Sequence, residues 1–113
     1  MAVLKFEDLI DEVDRELAEK GLEFIAKDGK TVMLRPVLLL GKDELKVVQV
    51  LLKVLTDDSK DAFERLEAID AMLIASANKK ESLKKSLAEL PPQIRTRIFD
   101  AWMQAGKAGE ASA

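Results

Sequence analysis

Apolar residues recur along this chain at helical spacing in several stretches and condense into two short runs between the first and second of them. Phe6, Leu9, Ile10, Val13 and Leu17 make one stripe and predict a helix from Lys5 to Lys20, with Glu7 and Asp8 in the first turn, where they complement the helix dipole. Gly21 is placed to end it in a left-handed cap. Leu22 to Lys27 and Lys30 to Arg35 flank Asp28-Gly29, the signal for a two-residue hairpin turn. That register sets Phe24 opposite Met33 and Ile25 opposite Val32, so each face of the ribbon carries an apolar pair. A lone two-stranded ribbon is barely stable, so one face must rest on helices. The other lies inside the protein or meets a partner.

Pro36 closes the second strand, and Val37 to Leu40 form a short apolar connector. A second helix follows to about Thr56 with a stripe of Leu45, Val48, Leu51, Leu52 and Leu55, widened by Val47, Val50 and Val54. A helix apolar on most sides is either central or shared with a partner, and the central position is the expectation. A third helix, from Asp61 to Ala77, turns Phe63, Leu66, Ile69, Met72, Leu73 and Ala77 inward, and Asn78 is placed to cap it. Lys79 to Glu89 is a short helix with Leu83, Leu87 and Leu90 inside. Pro91-Pro92 stops it, and Pro92 suits the first turn of a last helix carrying Ile94, Ile98, Trp102 and Met103 on one side. The fold class is therefore mostly α with a small β-hairpin (α+β): helix, hairpin, four helices. Residues 1–105 read as one domain and 106–113 as a flexible tail.

Composition fits such a domain: 113 residues, 48% hydrophobic and 35% charged, enough apolar surface to offset chain entropy. No apolar run approaches the roughly 20 residues that span a bilayer, and the N-terminus lacks the pattern of a signal peptide. There is no His, Cys or Tyr. The commonest general base, the thiolate nucleophile and the usual nitrogen and sulfur metal ligands are all missing, and the scattered glycines make no phosphate loop. No catalytic, cofactor-binding or metal site is expected, and the reading is a non-enzymatic binding protein.

Charge adds one feature. Residues 1–20 carry a net −4, residues 79–97 a net +4, and the whole chain −3. The basic stretch, Lys79-Lys80-Glu81-Ser82-Leu83-Lys84-Lys85, gives the alternative reading of a small DNA-binding regulator using 79–97. Its lysines are interrupted and no aromatic is interleaved for stacking, so nucleic acid is not the expected partner. A docking surface for an acidic face accounts for it as well. Asp11 and Asp14 against Lys80 and Lys84 of a neighbouring copy would make a homo-oligomer by a head-to-tail contact. Apolar partner binding falls to Val37, Leu38 and Leu39 in the connector and to Trp102 and Met103, which serve equally well as the anchor of the last helix.

The order of elements, with Val32-Met33-Leu34-Arg35, Lys42-Asp43-Glu44-Leu45-Lys46-Val47-Val48, Ala101-Trp102-Met103-Gln104 and Gly109-Glu110-Ala111-Ser112, resembles the tail assembly chaperones of long-tailed, siphovirus-type bacteriophages. The resemblance spans nearly the whole chain and departs from the family pattern at the basic stretch 79–85. It implies a protein that binds the tape measure protein during tail morphogenesis and keeps its apolar helices soluble. It also implies a location in the cytoplasm of the infected bacterial host and absence from the mature virion; the lack of a long apolar run adds the expectation of no membrane contact. Such chaperones are made in two lengths by ribosomal frameshifting, and the longer form recruits the tail tube protein. Ala105-Gly106-Lys107 admits a slippery message of the form G-GGA-AAA or G-GGA-AAG, which makes Gly106 and Lys107 the candidate frameshift site.

Overall fold

A computed structural model describes residues 2–111, with the side chains of 107–111 excepted. It contains α1 (Phe6–Lys20), β1 (Leu22–Ile25), β2 (Thr31–Leu34), a 3₁₀ turn (Val37–Leu39), α2 (Lys42–Thr56), α3 (Ala62–Ser76), α4 (Lys80–Ala88) and α5 (Pro92–Ala111). This is an α+β domain in the expected order. The last helix runs on past 106, where the sequence reading begins a tail. Ala, Lys and Glu are strong helix formers, and the glycines there weaken a helix without forbidding it. Ser112 and Ala113 lie outside the described residues.

The hairpin registers one residue away from the expected pairing. Leu22 faces Leu34, Glu23 faces Met33, Phe24 faces Val32 and Ile25 faces Thr31. The cause is the turn. Ala26 N–H donates to Lys30 O at 2.9 Å, and Gly29 N–H donates to Ala26 O at 2.9 Å, which closes a three-residue loop. Gly29 takes the left-handed position at φ 82°, the role glycine fills in such loops. A one-residue slip exchanges the two faces of a strand. Here it gathers Leu22, Phe24, Ala26, Val32 and Leu34 on one face against the helices. The other face carries Glu23, Ile25, Thr31 and Met33, and Ile25 is exposed.

β2 lies at the centre of the core. Val32 and Leu34 are wholly buried, together with Val48, Met72, Leu73, Leu83 and Trp102. The chain leaving α3 runs beside β2: Leu34 bridges Ala77, Arg35 N–H donates to Ser76 O at 3.0 Å, and Asn78 N–H donates to Met33 O at 3.1 Å. Asn78 Oδ1 also accepts from Met33 N–H at 2.9 Å. Asn78 therefore satisfies the strand rather than capping α3 as expected. Lys80 takes over the capping. Its Nζ donates to the carbonyls of Ile74, Ala75 and Ala77 at 3.0–3.1 Å, a cation on the negative end of the helix. At the other end of α3, Asp61 accepts from Glu64 N–H at 2.8 Å, an ordinary N-cap.

Two further expectations are corrected. α2 is peripheral rather than central: it packs on α3, only Val48 is buried, and Val47 and Val50 face outward. Gly21 is extended, at φ −71° and ψ 149°, not left-handed. Lack of a side chain is what matters there, because a Cβ would lie 2.6 Å from Leu17 O and would strike Met33 Sδ. Among the described residues, no helix is long and apolar enough to cross a membrane.

Candidate functional site

The five apolar residues singled out for partner binding come together. Trp102 Nε1–H donates to Arg35 O at 2.7 Å, which clamps α5 to the end of β2 across 67 positions of sequence. Arg35 is itself held by Ser76 and Glu44. It donates through Nε to Ser76 O at 3.1 Å and pairs with Glu44 at 3.2 Å, while its own N–H is bonded to Ser76 O. Partial burial pushes the Glu44 carboxyl up. The Arg35 hydrogen bond and charge, with the Gly41 N–H at 3.2 Å, outweigh that and hold it below its ordinary value. Strand end, connector and last helix thus form one fixed corner.

Outside this corner lies a groove of about 270 Å³. Trp102 forms its floor and is itself only 1% exposed. Met103, Val37 and Leu39, all half-buried, form the walls, and Leu38 stands 79% exposed at the lip. Glu16 and Lys20 from the last turns of α1 make the opposite rim, one charge of each sign. Trp102 therefore acts first as the anchor of α5, and the surface it offers a partner is a floor rather than a protruding ring. Phe99 packs beside it in a tilted arrangement, ring centres 5.7 Å apart and planes at 56°. Gly106 also borders the groove, close to Pro36, while the Lys107 side chain lies outside the described residues.

α1 extends this surface. It leans on α5, and its stripe is half-buried at Val13 and Leu17 near the groove. Exposure then rises toward the N-terminus, through Ile10 at 43% and Leu9 at 41% to Phe6 at 75%, with Leu4 at 83% just before the helix. No residue of α1 is buried. The pattern in the sequence names this face correctly, but nothing in it reveals that the chain leaves the face uncovered.

The charged self-association candidates divide. Asp11, Asp14 and Lys84 are exposed. Lys80 is already engaged by three carbonyls of its own chain, which takes it out of the role of free cation for a neighbour. The basic stretch is tied down in other ways. Ser82 Oγ donates to Asp28 at 2.8 Å, and that bond, followed by the Lys30 N–H, holds the Asp28 carboxyl below its ordinary value. Comparison of the chain with protein-family models, with curated proteins and with solved structures finds no match.

Proposed function

We propose that this protein is a non-enzymatic tail assembly chaperone that binds apolar helices of a phage tape measure protein in the host cytoplasm and keeps them soluble. The observation that carries the reading is the uncovered stripe of α1, continuous with the Trp102 groove and flanked by acidic side chains. An amphipathic client helix binds by laying its apolar face into such a surface. The acidic flanks keep the exposed face from collapsing onto anionic neighbours and add no base-reading or phosphate-binding chemistry. The resemblance in element order and in the Trp102-Met103 segment supplies the identity of the client. On this reading the chain is the shorter product of its gene, and a form lengthened by a frameshift at codons 106–107 brings in the tail tube protein.

A tape measure fragment mixed with the chain tests this by turbidity and pull-down. The expected result is a fragment held in solution by the unaltered chain, and one that aggregates when Leu9→Asp and Ile10→Asp are introduced together with the melting curve unchanged. Equal rescue by that variant, or retention of duplex DNA at physiological salt with no effect on the fragment, overturns the reading. The gene gives a second check. A Gly106 codon other than GGA or GGG, or no overlapping frame one base back, removes the frameshift.

A further inference from the structure

The groove and the free end of α1 are both apolar and carry complementary charges. The segment Val3-Leu4-Lys5-Phe6 offers three large apolar side chains, each more than 70% exposed. An apolar cavity of ~150 Å³ holds one benzene ring, so the 270 Å³ groove has room for Phe6 with one aliphatic neighbour. Charges follow the same order. The segment reads Lys5 and then Glu7 and Asp8, whereas the rim reads Glu16 and then Lys20. A second α1 laid alongside in the same direction, displaced by about three turns, sets Lys5 at Glu16 and Asp8 at Lys20.

Intramolecular filling is ruled out by the helix itself. Phe6 and Glu16 lie on one continuous α-helix. At 1.5 Å of rise per residue they stand ~15 Å apart and cannot fold onto each other. We infer that the groove of one copy receives the Val3–Phe6 end of α1 from a second copy. The contact is heterologous, because each chain keeps a free segment at one end and a free groove at the other. Repetition therefore builds a ring or an open stack. It differs from pairing of the acidic first helix with the basic 79–97 stretch, and it does not depend on the client assigned above, which is then left the α1 stripe around Leu9 and Ile10 rather than the groove.

The full chain is the material for the test. Light scattering across a concentration series is expected to give a mass above one chain that rises with concentration. Phe6→Ser and Leu38→Ser are each expected to raise the dissociation constant at least about tenfold, the loss of one central apolar anchor. Both side chains are exposed, and circular dichroism checks that the fold is kept. The chain has no cysteine, so two populations carrying Phe6→Cys and Leu38→Cys, mixed and air-oxidised, report the contact directly. They are expected to form a crossed disulfide dimer far in excess of the pair Phe6→Cys with Glu81→Cys on α4. Three results overturn the proposal. One is a single-chain mass at every concentration. Another is an oligomer that survives both Ser substitutions. The third is cross-linking to position 81 equal to that at 38, which would favour charge pairing through the basic stretch.

Discussion

α1 and α3 are both 15 residues long, and α1 has the more regular apolar stripe. Yet α3 buries Ala68, Ile69, Met72, Leu73 and Ser76, and α1 buries nothing. The difference lies in what surrounds them. α3 is sandwiched by α2, α4 and α5, and its last residues pair with β2, so burial reaches it from several sides. α1 touches α5 near one end and projects beyond it. Amphipathic periodicity says which face of a helix is apolar, and tertiary context decides whether the same chain covers it.

The sharpest way to break this contrast is to remove the corner on which both helices depend. Trp102→Ala empties the floor of the groove, orphans the Arg35 carbonyl and loosens α5 from β2. The expected cost is about 3–5 kcal/mol, read by denaturant or thermal unfolding. A loss below ~1 kcal/mol would mean that the ring serves the surface and not the fold. Next in size is Gly21→Ala at the joint between α1 and the hairpin. The new methyl meets Leu17 O and Met33 Sδ, and crowding of this kind costs about 1–3 kcal/mol. Hydrogen exchange is expected to rise most in α1, and an even rise across α3 would show that the two helices are coupled more tightly than their contacts imply.

Much of this was legible from the chain. Helix existence and order follow from periodicity and from the breaks at Gly21, Asp57-Asp58 and Pro91-Pro92. The sequence places Val37, Leu38 and Leu39 in a connector and Trp102 and Met103 on the last helix, as its anchor or as partner contacts, but not their convergence on one groove. They meet through long-range contacts, the burial of Trp102 in the core and its hydrogen bond to Arg35, which no local pattern encodes. The hairpin register was misread because Asp28-Gly29 suits both a two-residue turn and the last two positions of a three-residue loop. Gathering Leu22, Phe24 and Ala26 with Val32 and Leu34 on the one buried face selects the second. Asn78 was expected to cap α3 and Lys80 to meet a neighbouring copy; Asn78 instead pairs with β2 and Lys80 caps α3, because β2 has an open side and only the folded chain brings 76–78 there.

A smaller effect separates the two sides of the corner by pH. The Glu44 carboxyl is held below its ordinary value, so its contribution is present above the ordinary carboxylate range and is lost as pH falls through the folded-state value. Glu44→Gln is therefore expected to cost ~0.5 kcal/mol at neutral pH, an amount suited to a partly exposed pair, and to converge with the unaltered chain in acid. A constant deficit at all pH values would assign the effect to altered packing or hydrogen bonding of the side chain rather than to its charge. Asp70 works in the opposite direction. Burial raises its carboxyl, against the pull of Arg95, so its contribution is present in acid and declines as pH rises through the raised value.

The smallest expected effect tests the comparison inside α3 itself. Phe63 was expected to face inward with Leu66, Ile69 and Met72, but it is 78% exposed. A helix turns about 100° per residue, so each step of three residues falls about 60° short of a full turn. Phe63 stands two such steps from Ile69 and so about 120° around the helix, off the face that α2, α4 and α5 cover. A series of three-residue steps resembles a stripe in the sequence while spiralling away from it in space. Phe63→Ser is accordingly expected to change stability by no more than ~0.5 kcal/mol, whereas Ile69→Ser, 9% exposed at the centre of the same helix, is severely destabilising. Parallel unfolding curves for the two variants decide it. Comparable losses would place Phe63 against another part of the molecule, and α3 would then be covered along its whole length.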